Sequence, residues 1–437
     1  MNLKLETMAL NFFIMLGFFY CIYISSLTTA NFMFVALNYF LLCLLMYFSL
    51  KKYKLLLNPI TLLLPLCLAY LYYGFMLSDR QVELRGDVQA SFYLFILFYT
   101  IGTFFPFKIT GQYSMTISRN KKLFADLIFV AGLVIFLIES ILNGGFPILV
   151  TVISRQDIYS ELQFIPVFHY LVMLITIMPS VYYYFYKYKK ISKFYLYVIL
   201  VVSFFVILNT LSRQLIIFGI LSYFIVYIKL NNITSTKFFL KLLLSTGILF
   251  LLVGQLRLLA QKKDISALDY LKAFSGVPEQ LNVNTFDVTF NLYTSLNFNT
   301  LNDFYVNAEN FYYGLYTLKP VLVLLHYDEA FSFQYRPDLD GFTRLGTVIS
   351  DPYLDFGIPG VILFSFFYGT ILSGAFISHV QSENLGHSLI WATLSYAMVM
   401  SVFANFFNVL FIWICIIFAL FFCFTFRCGT IIKRNTL

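Results

Sequence analysis

Three arginines of this 437-residue sequence stand near the ends of apolar runs, Arg155, Arg213 and Arg257, and a fourth, Arg344, lies in the long polar stretch that follows. A guanidinium presents planar donors in a fork that binds phosphate or carboxylate through two parallel hydrogen bonds, which the point charge of lysine does not. Set around one site, such groups would hold a diphosphate and stabilise the charge that develops as it departs. The competing reading is that each arginine snorkels separately to lipid phosphates. A transfer site also needs a proton acceptor. His326, in Leu324-Leu-His-Tyr-Asp-Glu329, is the candidate to take a proton from a hydroxyl near neutral pH. His169 reads as a packing histidine, and His379 and His387 fall in segments predicted on the opposite face.

Two carboxylates sit in the stretch Gly341-Phe-Thr-Arg-Leu-Gly-Thr-Val-Ile-Ser-Asp-Pro-Tyr-Leu-Asp-Phe-Gly-Ile-Pro-Gly360. Asp355, just before Gly357 and Pro359, reads as a helix-start carboxylate near the positive end of a following helix. Asp351, beside Pro352, has less structural reason to be there and joins the catalytic candidates with His326 and Arg213. Asp338-Leu-Asp340 matches the Asp-x-Asp pattern of metal-dependent sugar transferases, but three residues match easily by chance in an acidic loop. No metal or other cofactor is called for. The six cysteines lie in apolar runs or the C-terminal tail, and none pairs with a histidine at ligand spacing. Absence of a Gly-rich loop ending in Gly-Lys-Ser/Thr argues against a nucleotide-driven pump.

The elements that must position these residues are membrane helices. At 60% hydrophobic and 11% charged, the chain cannot hide its apolar surface in a water-soluble core, since soluble domains carry about a quarter charged residues. Its apolar runs are about 17–25 residues long, enough for a helix to cross roughly 30 Å of hydrocarbon. The predicted helices are 8–26, 30–50, 55–77, 89–107, 123–143, 163–186, 194–211, 214–230, 238–256, 358–378, 387–403 and 407–425, twelve in all, with no cleavable signal ahead of them.

With both termini cytoplasmic, 18 of the 29 basic residues fall on the inner side, which orients the chain. Inside, lysines outnumber arginines fifteen to three; outside, seven arginines face four lysines, so the outer face is the one built to hold an anion. The organisation expected is residues 1–256 as nine helices, 257–355 as one large external loop, and 356–437 as three more helices and a cytoplasmic tail. The loop holds 12 of the 21 carboxylates, and in it Ser266–Phe274 and Tyr316–Tyr327 have helical periodicity, predicting short helices on the bilayer surface. Loops of this length usually carry function.

This layout, the Ser212–Arg213 turn and the Asp-Pro-Tyr-Leu-Asp-Phe-Gly-Ile-Pro-Gly segment resemble the bacterial O-antigen polymerases, the Wzy-type oligosaccharide repeat-unit polymerases. The resemblance in organisation covers almost the whole chain; that in motif covers only the turn and the end of the loop. It implies an all-α, GT-C-like polytopic fold and a metal-independent glycosyltransferase of the bacterial inner membrane, active on the external face. Its substrates would be undecaprenyl-diphosphate-linked oligosaccharide donor and acceptor, and its partners membrane lipids and a chain-length regulator protein, with no nucleic acid. The family's external arginines carry over to Arg155, Arg213, Arg257 and Arg344, and the loop histidine of the related O-antigen ligases to His326. Sugar-ring platforms would come from Tyr293, Phe298, Tyr305, Phe311, Tyr312 and Tyr313, the alternative being that these aromatics form an interfacial belt. The alternatives are a lipid-linked oligosaccharide flippase, for which short loops and a charged central cavity would be expected, and an O-antigen ligase, which keeps the chemistry and changes the acceptor.

Overall fold

The structure, a computed structural model, describes residues 17–19, 21–23, 25, 28, 31–53, 55, 57–107, 119–154, 162–210, 212–233, 267–307, 311–325 and 346–423. These residues are all-helical, with no strand among them. Five helical stretches are long and apolar enough to cross a membrane: Phe32–Tyr53, Asn120–Val150, Gln214–Asn231, Ser350–Gln381 and Leu385–Val402. Shorter apolar helices occupy Thr61–Tyr73, Lys193–Asn209 and Leu410–Cys423. The predicted helices 8–26 and 238–256 lie wholly or largely outside the described residues.

The chain divides into two compact units that alternate along the sequence. The first contains residues 1–106, 265–373 and 397–409; the second contains 107–264, 374–396 and 410–437.

In the first unit, α1 (Phe32–Tyr53) is followed by α2 (Leu64–Tyr73) and α3 (Gly86–Gly102). Pro65 stands in the first turn of α2, where its missing N–H costs nothing, and a 3₁₀ turn at Thr61–Leu63 leads into it. The segment predicted as a surface loop then contributes α10 (Ala267–Ser275), α11 (Thr285–Phe290), a π turn at Asn291–Ser295, α12 (Asn297–Asn307) and α13 (Lys319–Leu324). Helices do occupy the periodic stretches. The middle of the segment, however, is not on a surface. Phe298 is fully buried against Tyr70 and Phe92, with ring centroids 5.0 and 5.9 Å away. The last turn of α2 meets both halves of the broken helix, Tyr72 packing on Phe290 and Tyr73 on Phe298.

The asparagines of α12 act as extra backbone. Asn299 Oδ1 accepts the Tyr73 hydroxyl at 2.5 Å and its amide donates to the Arg80 carbonyl at 2.7 Å. Asn302 Oδ1 accepts the Arg85 N–H at 3.1 Å, so the connection 74–85 is pinned by side chains that hydropathy counts as polar. A π turn inserts one residue into the helical register. Here it places the fully buried Asn291 with no protein partner for its amide among the described residues.

In the second unit, α4 (Arg119–Leu142) packs on α6 (His169–Leu174). The chain continues through a 3₁₀ turn at Ile175–Ile177 into α7 (Met178–Lys187), whose first turn holds Pro179. Helices α8 (Lys193–Asn209) and α9 (Arg213–Asn231) lie against α7. The short α5 (Pro147–Ser154) precedes α6 in the chain and touches α8. Helix α14 (Ser350–Gln381) begins in the first unit and ends in the second, α15 (Leu385–Val399) does the reverse, and α16 (Leu410–Cys423) belongs to the second. Lys229 Nζ donates to the carbonyls of His379 and Val380, both at 2.6 Å, neutralising the last turn of α14.

Candidate functional site

Two places gather polar side chains from separate segments. The first, in the first unit, is the start of α14. Asp351 lies in its first turn, and its Oδ2 accepts the Asn408 amide at 2.8 Å. The same amide donates to the Tyr316 carbonyl at 3.0 Å, and Lys319 is within electrostatic reach of Asp351. Asp355 is fully buried and accepts three hydrogen bonds: from the Tyr316 N–H (3.0 Å), the Thr317 N–H (2.8 Å) and the Thr317 hydroxyl (2.5 Å).

This corrects the sequence reading of the second carboxylate. Although a helical stretch does begin just past Asp355, after the break at Gly357, its carboxylate goes to Tyr316 and Thr317 rather than to that helix's N–H groups; it clamps residues 312–317 onto α14, with Tyr312 and Tyr313 also donating to the carbonyls of Leu354 and Asp355 at 3.0 Å. Immediately after it, Gly357 adopts φ 65°, ψ −152°, breaking the helix, and Gly360 leaves room for the Pro352 carbonyl. Tyr353 stacks on Tyr305 with centroids 3.4 Å apart. On the same surface Arg85 grips Asp87 through two bonds of 3.1 and 2.9 Å, which hold its guanidinium above the usual arginine range. Of the aromatics read as sugar platforms, Phe298 and Tyr305 are buried, whereas Phe311 and Tyr313 are exposed.

The second place is one end of the second unit. Helix α4 stops at Asn143-Gly144-Gly145, where both glycines have positive φ and Gly145 N–H bonds back to the Ser140 carbonyl at 2.8 Å. The last turn thus presents Glu139 and Asn143, one turn apart, to the returning chain. Asn143 pairs with the backbone of Gln163 in both directions, donating at 2.9 Å and accepting at 2.8 Å. Glu139 Oε1 accepts the Ile165 N–H at 3.0 Å, and its two oxygens lie 3.1 and 3.0 Å from His169 Nδ1. The Glu139 side chain is 6% exposed and that of His169 19%.

Between them Val167 takes φ 65°, an unfavourable conformation for a β-branched residue, and this turn delivers His169 to the carboxylate. The Phe164 ring lies 4.1 Å from the imidazole. At the same end the buried Asn209, last residue of α8, accepts the Ile148 N–H at 3.2 Å and so ties the start of α5 to the turn that leads into α9.

Of the residues singled out in the sequence, Arg213 is the first of α9, after Ser212 at its N-cap. Asp351 sits as described above. Arg155, Arg257, Arg344, His326, Asp338 and Asp340 lie outside the described residues. The pair that sequence reasoning missed is Glu139–His169: thirty residues separate them, and only closure of the 143–168 connection makes them neighbours. Their signal was a carboxylate at the end of an apolar helix, costly unless paired. Among the described residues, no group of three or more His, Cys, Asp or Glu side chains could hold a metal ion. No family model, curated protein or solved structure matches the chain.

Proposed function

We propose that this chain is a multi-pass membrane glycosyltransferase that polymerises undecaprenyl-diphosphate-linked oligosaccharide repeat units into O-antigen or a related surface polysaccharide. It would do so on the outer face of the bacterial cytoplasmic membrane, through about twelve helices in a GT-C-like arrangement with both termini inside. The observation that carries the reading is the hydrogen bond from Ile148 N–H to Asn209. It ties the first turn of α5, the helix that precedes Arg155 in the chain, to the last residue of α8, just before the turn that carries Arg213. Arg155, Arg213, Arg257 and Arg344 would hold the diphosphate, a good leaving group that needs cations rather than a nucleotide. His326 and Asp351 stand as the loop's candidate proton acceptors.

The test is the lipid-linked glycan profile of a strain lacking the protein. Single capped repeat units support polymerisation; glycan missing from the lipid core indicates a ligase; intermediates held on the cytoplasmic face indicate a flippase. Arg213→Lys, at normal membrane abundance, is expected to leave mainly single units, a loss on the order of a hundredfold in rate because lysine keeps the charge and loses the fork. Arg80→Lys, at an exposed position, is the silent control. Polymer of normal length and amount from Arg213→Lys would reduce Arg213 to a headgroup anchor.

A further inference from the structure

We infer that His169, oriented by Glu139, is the proton acceptor of the transfer reaction; the inference rests on the glycosyltransferase reading above. Three observations carry it. Glu139 engages Nδ1 with both carboxylate oxygens, at 3.1 and 3.0 Å, and is itself fixed by the Ile165 N–H. A carboxylate accepts only, so Nδ1 carries the hydrogen and the lone pair is on Nε2, the tautomer a base requires. Among the described residues the hydrogen bonds of the ring are those of Nδ1, and the side chain keeps 19% of its surface open, so Nε2 is available to a substrate. Finally, Phe164, Val167 and Phe168 beside the pair are exposed, giving an apolar flank suited to a prenyl chain, while the same end carries the Ser212–Arg213 turn. A histidine present only for packing would not need a strained valine to bring it to a buried carboxylate.

In the reaction, the acceptor sugar hydroxyl attacks the anomeric carbon of the donor. The new glycosidic C–O bond forms as the C–O bond to diphosphate breaks, and prenyl diphosphate leaves with the electron pair. The hydroxyl proton passes to His169 Nε2, Glu139 stabilises the imidazolium, and the proton is then lost to water. The contacts of Asp351 and Asp355 support this choice: the former is bonded to Asn408 and the latter spends both oxygens on backbone and hydroxyl donors.

The experiment uses the full chain in lipid nanodiscs with a lipid-linked repeat unit as donor and acceptor. His169→Asn retains a donor near the Nδ1 position, hence the bond to Glu139 and the fold, but has no base at Nε2. The expected result is a 10²–10⁴-fold fall in kcat with acceptor KM and donor binding unchanged, partly restored by added imidazole in His169→Ala. Glu139→Gln, which alters only the positioning residue, should fall less, and Glu139→Asp should recover part of the loss. Wild-type kcat in His169→Asn overturns the inference and leaves the polymerase reading standing; a wild-type protein that joins no repeat units overturns both.

Discussion

At the scale of single residues, Asp355 shows how a motif can be seen and its purpose misread. The Asp-x-x-x-Asp spacing before glycine and proline marks a helix start, but which carboxylate caps and which clamps depends on where residues 312–317 return, and that is not written locally. Asp355→Asn keeps the shape but turns an acceptor into a donor facing three donors. The expected cost is about 1–3 kcal/mol, read as a lowered unfolding midpoint of the purified protein, with Asp351→Asn milder because the side-chain amides of Asn408 and Asn405, which can turn, face it rather than fixed backbone donors. Equal midpoints for Asp355→Asn and wild type would remove the clamp from the account. Glu139 was visible as one of two acids, with Asp126, in the apolar run 123–143. Its histidine was not, because the partner is chosen by a turn at Val167 that no propensity favours.

At the scale of elements, the long apolar helices were legible because lipid rewards one property, continuous hydrophobicity, that a sequence displays directly. The stretch 285–307 was not, since protein surrounds it and its buried faces mix apolar residues with asparagine, threonine and aspartate, several of which bond to backbone or side-chain partners. The helix expected from residue 358 does follow the break at Gly357; what the sequence reading lacked is the short helical stretch from Ser350 that precedes the break. That break is glycine-specific in two ways. Its φ, ψ pair is one that side-chain-bearing residues avoid, and a Cβ would lie 2.9 Å from the Phe311 ring. Gly357→Ala should therefore destabilise by about 1–3 kcal/mol. Adding Phe311→Ala should recover only the steric part, and full recovery in thermal unfolding would show that the backbone angle is unstrained.

At the scale of the whole molecule, the charge asymmetry between short inner and longer outer segments makes topology testable. In a cysteine-free background, a cysteine at the exposed Tyr313 should react with an impermeant thiol reagent in outer-membrane-permeabilised cells, and one at the exposed Lys190 should not. The reverse pattern would invert the chain and move every external arginine to the cytoplasm. Position 297, though central to the expected outer loop, is a poor reporter, because Asn297 is 2% exposed and bonded to the Val402 carbonyl. Its burial also fixes an order of manufacture. Helices α1, α4 and α9 leave the ribosome first and can each enter lipid on their own apolarity. The segment carrying Asp287, Asn291, Asn297, Asn299 and Asn302 is held by polar partners instead, and one of them, the Val402 carbonyl, is made 105 residues after Asn297. Its final seating therefore waits until the chain has been made through Val402.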